Sequence, residues 1–206
     1  MCSQRACSLF FMIILLLWGQ NLFAQEETPP EDESDPAWNE AITSPYDFGD
    51  RTFVISLGVL FPTFFGGAVE NNQHGLGLGG TGSLAFNYFL SSNVFIGAEL
   101  AGSFSGTRGG NMLYIVPFGV RAGYQFVLNR FEFPVSLMVG GAAQSYIGQG
   151  FFGPILKPSA SAFWRFNPDW SFGLNGAWWF IPQWPRNGHN VYGNFIELTL
   201  SARFHL

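Results

Sequence analysis

Hydrophobic and polar residues alternate with a period of two along most of the chain from Arg51 onward. In the last segment, one face carries Leu198 and Leu200, and the opposite face carries Glu197 and Thr199. Such alternation is typical of a β-strand whose two faces meet different surroundings. The pattern recurs in eight blocks and predicts strands over residues 51–61, 76–90, 93–105, 112–128, 131–146, 153–166, 169–181 and 191–206.

The connections between these blocks are alternately short and long. Short turns are predicted at residues 91–93, 129–130 and 167–169, and longer, glycine-rich connections at residues 66–75, 106–111, 148–150 and 182–190. An up-and-down meander of antiparallel strands requires this order of tight turn and loop. The chain is therefore predicted to be all-β.

The bulky apolar face of each predicted strand is free of charge, whereas the opposite face is small, polar or charged. Residues 51–206 contain 5 acidic and 8 basic residues, which makes 13 charges in 156 positions. These are too few to cover the outside of a soluble barrel such as a lipocalin. Small residues on the other face suit the narrow interior of an eight-stranded barrel. We therefore predict an eight-stranded antiparallel up-and-down transmembrane β-barrel over residues 51–206, with its apolar face in lipid.

The first 24 residues have the features of a secretory signal peptide. Arg5 supplies a positive charge, residues 9–18 form an unbroken apolar stretch, and Ala24 is a small residue suited to cleavage. Both cysteines of the chain lie in this segment, so the mature protein is predicted to contain no disulfide.

Residues 25–50 contain nine acidic residues, four prolines and no basic residue. Such a segment cannot bury enough apolar surface to offset the entropy lost on ordering. We therefore predict that residues 25–50 form a disordered acidic leader in front of the barrel.

Aromatic residues gather near the ends of the predicted strands, where two girdles at the membrane interfaces are expected. They include Trp179, next to one of the long connections. Six aromatic residues are predicted to lie in the girdles: Tyr88, Tyr124, Trp164, Trp170, Trp178 and Phe180.

Seven charged residues fall on the face predicted to line the lumen: Glu99, Arg121, Glu132, Lys157, Arg165, Glu197 and Arg203. We expect them to form a structural ion-pair plug, because side chains fill an eight-stranded lumen. A narrow path for a solute or for protons is the alternative. Within this set, we predict that Glu99 and Arg121 form an ion pair.

Candidate catalytic and metal-binding residues are few. His74 and His189 lie in predicted loops, and a lipid-modifying site could draw on Ser83, Ser103 and Ser145. The histidines belong to no motif and have no third metal ligand at a suitable spacing, and the basic residues form no patch for nucleic acid. We therefore predict no catalytic residues, no metal, no cofactor and no nucleic-acid partner.

In strand number, loop rhythm and lipid-facing alternation, residues 51–206 resemble the small eight-stranded outer-membrane barrels of the OmpA-transmembrane, OmpX and OmpW type. Members usually end in an aromatic residue that the barrel-assembly machinery recognises, whereas this chain ends in Leu206, with Phe204 two positions earlier. The prolines of the predicted strands also depart from a closed ladder and imply bulges or shorter strands: Pro117, Pro134, Pro154 and Pro158.

The resemblance implies a monomeric outer-membrane protein in contact with outer-membrane lipid, inserted by the barrel-assembly machinery, with both mature termini in the periplasm. It also implies a structural role or the passage of small molecules, including apolar ones. Two alternatives stay open: a barrel enzyme that modifies outer-membrane lipid, and a surface adhesin or host-interaction protein.

Overall fold

The segments with alternating hydrophobicity form eight strands in a computed structural model. This structure describes residues 46–67, 75–107, 109–184 and 191–206, with the side chains of residues 64–67 left out. The strands are β1 (Arg51–Gly67), β2 (Leu76–Phe89), β3 (Val94–Thr107), β4 (Met112–Leu128), β5 (Phe131–Tyr146), β6 (Gln149–Arg165), β7 (Trp170–Gln183) and β8 (Val191–His205). The predicted signal peptide and the leader up to residue 45 lie outside the described residues.

Each strand pairs antiparallel with the next, and β1 pairs with β8, so the sheet closes into a barrel in the order β1 to β8. Closure pairs the two edges that an open sheet would expose. We call the end with the β2–β3, β4–β5 and β6–β7 connections the turn end, and the opposite end the loop end. Within the described residues, no helix is long and apolar enough to cross a membrane.

The predicted connection at residues 148–150 is wrong, because β5 and β6 are joined by a tight turn. Ile147 and Gly148 have φ angles of 50° and 72°. Two consecutive residues with positive φ form the type of turn that matches the twist of a hairpin. As a result β6 begins at Gln149, and its pairing with β5 continues without a break through Gly150 and Phe151.

The four prolines named from the sequence neither end the strands nor form bulges. A proline nitrogen has no hydrogen, so it weakens pairing only toward the strand that it faces. At Pro117, β4 remains paired with β5, but its pairing with β3 is interrupted. At Pro134, β5 remains paired with β4, but its pairing with β6 is interrupted. Pro154 and Pro158 keep β6 paired with β5, and the interruptions fall on the β7 side.

The outer face of the barrel is apolar and exposed. Leu57, Val120 and Leu200 each expose 67–70% of their surface. Four of the six predicted girdle residues are exposed on this face, namely Tyr124, Trp164, Trp170 and Trp178, while Tyr88 and Phe180 are half-buried. An apolar band of this extent requires lipid as its surroundings.

Candidate functional site

The seven charged residues predicted for the lumen lie inside the barrel and are paired there. One group joins two acids to two bases: Glu99 Oε2 lies 3.2 Å from Arg121 Nη1, and Lys157 Nζ lies 2.6 Å from Glu99 Oε1 and 2.9 Å from Glu197 Oε2. The two acids and two bases balance within this group. Because Glu99, Lys157 and Glu197 stand on strands that are not neighbours, the group bridges the lumen.

A second charged group lies toward the turn end, around Glu132. Its two carboxylate oxygens lie 2.6 Å from Arg165 Nη2 and 2.7 Å from Arg203 Nη1. The buried Gln125 side chain donates to Glu132 and accepts from Arg203, at 3.1 and 2.9 Å. These contacts satisfy charges that would otherwise be costly to bury.

Tyr46, in front of β1, inserts into the turn end of the lumen. Its ring stacks on Phe89 at a centroid distance of 4.0 Å, and its hydroxyl donates to Glu132 Oε2 at 2.8 Å. Burial raises the pKa of this hydroxyl, so it stays protonated and remains a donor. The predicted disorder of residues 25–50 therefore does not extend to the last five of them, because Tyr46 docks onto the barrel.

A Ser–His hydrogen bond lies beside Tyr46. Ser171 Oγ is 2.8 Å from His205 Nε2, and His205 Nδ1 is 3.1 Å from the Tyr46 hydroxyl. A nucleophile and a base can be arranged in this way. Ser171, however, has no exposed surface, so a lipid substrate cannot reach it. The contact fixes Tyr46 and His205 at the turn end.

The loop half of the lumen is filled with apolar side chains, most of them large, which contradicts the prediction of a small or polar inner face throughout. The cluster comprises Leu60, Ala101, Ile115, Met138, Ala142, Ile155, Ala177, Trp179, Ile181 and Phe195. Trp179 is fully buried, and its assignment to the girdle is wrong, because it shares the inward face of β7 with Ser171 and Ala177. Its indole Nε1 donates to Glu197 Oε2 at 2.7 Å, which joins the apolar and charged layers.

The space left inside the charged layer is small. A cavity of about 20 Å³ is lined by Glu99, Arg121, Lys157 and neighbouring serines. Such a volume holds about one water molecule. The charged side chains therefore fill most of the lumen at this level.

A larger cavity of about 200 Å³ lies at the loop end, above the apolar cluster. Its lining is Leu76, Leu113, Gln144, Tyr146, Phe151, Gln183, Gly193 and Phe195. We call it the loop-end pocket. Its polar groups are one tyrosine and two glutamines, and Gln183 Nε2 donates to Gln144 Oε1 at 2.6 Å. Since none of the described lining residues is charged, this part of the pocket suits a neutral and mainly apolar molecule.

The two strands that form the barrel wall beside this pocket, β6 and β7, have an incomplete ladder. In the described residues, β6 and β7 have no ladder pair on the loop side of Leu156↔Phe180. That register sets Pro154 opposite Pro182, and neither can donate a backbone hydrogen bond. The strands nevertheless stay adjacent, since a Cβ atom on Gly153 would lie 3.1 Å from the Pro182 carbonyl oxygen. We call this stretch the β6–β7 seam.

The serines and histidines considered for catalysis do not come together. Ser83 lines the lumen, Ser103 Oγ donates to the Ile115 carbonyl at 3.4 Å, and Ser145 is exposed. His74 and His189 lie outside the described residues. In the part of the chain that the structure describes, no three His, Cys, Asp or Glu side chains are grouped to hold a metal ion.

Sequence reasoning missed Tyr46, Trp179 and Gln144, and two of them had a usable signal. Every second residue of a strand points inward. Once Ser171 is assigned to the inner face of β7, Trp179 must point inward too, and an inward Glu132 on β5 likewise places Gln144 on the inner face. Tyr46 had no comparable signal, because it precedes the first strand and its partners come from distant parts of the chain.

Comparison with known proteins supports a shared family. A protein-family model matches residues 30–204, which is most of the chain. A protein of Treponema pallidum (strain Nichols) is 36% identical over 97 residues, which are 47% of this chain and 44% of that protein. A protein of Borreliella burgdorferi is 23% identical over 175 residues, covering 74% of this chain and 82% of that protein. The Treponema match thus spans less than half of that protein's length.

Solved structures support the fold. Neisserial surface protein A (NspA) has a TM-score of 0.59 at 10% identity, with 76% of this chain and 96% of that chain covered. The outer membrane protein OprG from Pseudomonas aeruginosa has a TM-score of 0.55 at 11% identity, with 78% and 97% covered. The chain therefore belongs to the family whose model spans residues 30–204, and its fold is that of the small eight-stranded outer-membrane β-barrels.

Proposed function

We propose that this protein is an integral outer-membrane barrel that is closed along its axis and admits small, mainly apolar molecules at its loop end. The observation that carries the proposal is the loop-end pocket of about 200 Å³ above a filled lumen. A dry apolar cavity of roughly 150 Å³ is enough to hold benzene in another protein. A ligand of about that size, or slightly larger, fits the pocket.

The lumen below the pocket disfavours passage along the axis. A molecule that moved toward the turn end would have to displace Trp179 and then the ion pairs of Lys157, both fully or almost fully buried. Separating buried charges without replacing their partners costs several kcal/mol. Entry and exit of an apolar molecule therefore take place at the loop end.

The β6–β7 seam supports a sideways exit into the bilayer. The pocket is lined by Phe151 on β6 and Gln183 on β7, the two strands that border the seam. Since few backbone hydrogen bonds hold these strands together there, parting them costs less than parting a fully paired ladder. An apolar molecule would then move from the pocket to lipid without crossing water.

Location and partners form part of the same proposal. Tyr46 and Leu206 both lie at the turn end, where the Leu206 amide donates to the Arg51 carbonyl at 2.9 Å. We assign this end to the periplasm, with insertion by the barrel-assembly machinery and a monomeric barrel surrounded by outer-membrane lipid. We assign no catalytic role, which the burial of Ser171 supports.

A purely structural role is the second candidate. The bridging ion pairs and the apolar cluster fill most of the lumen, which suits a barrel that acts only as a membrane anchor. An empty loop-end pocket under all conditions would favour this role. The lipid-modifying enzyme and the adhesin have no comparable support in the described residues.

Binding of fluorobenzene to the barrel in lipid nanodiscs tests the proposal. Fluorine NMR distinguishes a bound pool from the pool dissolved in lipid, and empty nanodiscs give the reference. We expect a saturable bound signal that Leu113→Trp, which fills the pocket, abolishes. Leu174→Trp, on the exposed outer wall, is the matched control and should leave it intact. No saturable signal, or one that Leu113→Trp leaves unchanged, contradicts the proposal.

A further inference from the structure

The charges inside the barrel do not cancel. The seven charged residues of the lumen comprise three acids and four bases. The group that bridges the lumen is neutral, so the excess positive charge belongs to the group around Glu132, which contacts both Arg165 and Arg203. The protonated Tyr46 hydroxyl donates to Glu132 and cannot offset the excess. An uncompensated charge is costly in a poorly hydrated interior, so this excess requires a compensating negative charge or solvent.

Arg203 carries the less solvated part of this charge. Its side chain is 3% exposed, against 12% for Arg165. Within the described residues, its hydrogen bonds all start from Nη1 and go to Glu132, Gln125 and Tyr46. The Nη2 atom donates to no described residue, and it keeps accessible surface, unlike the enclosed Nε atom. Because Arg203 lines the cavity inside the charged layer, a charged donor group faces that space.

The cavity has donors on opposite sides of the barrel. Arg203 of β8 and Arg121 of β4 both line it. Ser83 of β2 lines it too, and its hydroxyl has no hydrogen-bond partner among the described residues. The carboxylate of Glu99 reaches the same space, but its two oxygens already contact Lys157 and Arg121. A ligand there meets two guanidinium groups, a free hydroxyl and a neutralised carboxylate, which favours an anion.

The size of the cavity limits the ligand to one atom. Its volume of about 20 Å³ holds about one water molecule, and chloride is only slightly larger than water, whereas phosphate does not fit. Water would satisfy the donors but would leave the excess charge in place. We propose that this cavity is a binding site for one monatomic anion, chloride, held between Arg203 and Arg121 and balancing the charge of the lumen. The site is independent of the loop-end pocket and of the proposed function.

Urea unfolding in vesicles of zwitterionic lipid tests the site. Sodium chloride is replaced stepwise, at constant ionic strength, by sodium methanesulfonate, whose anion is too large for the cavity. Above the dissociation constant, each tenfold rise in chloride should lower the unfolding equilibrium constant by about tenfold, because only the folded state binds the ion. Ser83→Val, which removes the free hydroxyl and occupies part of the cavity, should remove this dependence. Ser103→Val, at a buried serine that is not part of the lining, is the matched control and should keep it.

Crystals of the barrel refolded in sodium bromide provide the direct measurement. Bromide scatters anomalously, and we expect one peak in the cavity, in contact with Arg203 Nη2. Stability that does not depend on chloride, an equal dependence in Ser83→Val, or a cavity that holds only water would overturn the proposal. A bromide peak without chloride-dependent stability would mean an adventitious ion only, and would overturn it as well. The measurements on the unmodified chain need no variant, so misfolding of Ser83→Val cannot conceal the result.

Discussion

The ammonium group of Lys157 on β6 lies 2.6 Å from the carboxylate of Glu99 on β3, on the far side of the lumen. The same ammonium group lies 2.9 Å from Glu197 on β8. One side chain therefore ties together three strands of the wall that are not neighbours. This contact makes the interior a folded core, with an ion-pair layer in the position that water occupies in a porin.

Replacing Lys157 with Met should strongly destabilise the barrel. The substitution leaves the carboxylates of Glu99 and Glu197 buried without their shared cation, which costs roughly 3–5 kcal/mol in comparable buried pairs. The double variant Lys157→Met/Glu197→Gln should regain much of this loss, because Glu99 still contacts Arg121. Urea unfolding in lipid vesicles measures both variants. Arg51→Met, at an exposed position, controls for the loss of one positive charge, and an equal effect there would refute the bridging role.

Glu99 and Arg121 should be energetically coupled. Glu99 pairs with Gly119 in the ladder, two positions from Arg121, and their charged atoms lie 3.2 Å apart. A double-mutant cycle with Glu99→Gln and Arg121→Met should give a coupling energy of about 1–3 kcal/mol in urea unfolding. Additive losses of unfolding free energy would mean that the two side chains have no measurable interaction energy. A cycle between Glu99 and Arg203, which share no ion pair, provides the comparison.

The strands and the lumen charges follow from the sequence because both depend on a period of two. Once the outer face of β8 is assigned from Leu198 and Leu200, alternation sends Glu197 inward, and the same rule applies to every strand. The scarcity of charge decides which face meets lipid. The sequence thus predicts the wall of the barrel and the residues that line it.

The order of the side-chain layers along the barrel axis was harder to predict. Register decides that Trp179 lies above Lys157 and that Gln144 stands beside Phe151, and register depends on barrel closure over all strands at once. The tight turn at Ile147 was hidden because a β-branched residue rarely adopts positive φ. The docking of Tyr46 depends on a cavity that exists only after closure.

The Tyr46 hydroxyl should make the barrel less stable at high pH. Burial raises its pKa above the ordinary value of about 10, so the folded state favours the protonated form. Its contribution is fully present below pH of about 10 and is lost as the pH rises through the higher pKa of the folded state. Tyr46→Phe keeps the stacking on Phe89 and should remove this part of the pH dependence.

Urea unfolding of the wild type and of Tyr46→Phe between neutral and alkaline pH tests this point. The stability difference should shrink as the pH rises, from about 1 kcal/mol at neutral pH for one lost hydrogen bond. Tyr124→Phe, on the exposed outer face, is the control and should follow the wild type. Parallel curves for the wild type and Tyr46→Phe would contradict the docking of Tyr46.

Restoring backbone donors to the β6–β7 seam should slow exchange between the pocket and the bilayer. Pro154→Val/Pro182→Val supplies two N–H groups, which should raise the unfolding free energy by about 1–2 kcal/mol. Fluorine exchange NMR with fluorobenzene should then give a slower exchange rate at similar affinity. Pro117→Val, which adds a donor at the β3–β4 interruption, is the matched control. Unchanged exchange in the double variant would exclude the seam as the exit.

Single-channel recording of the refolded barrel in planar lipid bilayers tests the closed axis most directly. With Trp179 and the Lys157 ion pairs filling the lumen, the wild type should give no stable open-channel current at moderate voltage. Trp179→Ala/Lys157→Ala, provided that the variant inserts and keeps its β-sheet signal, should conduct measurably more. A reproducible ohmic conductance from the wild-type barrel would contradict the closed lumen.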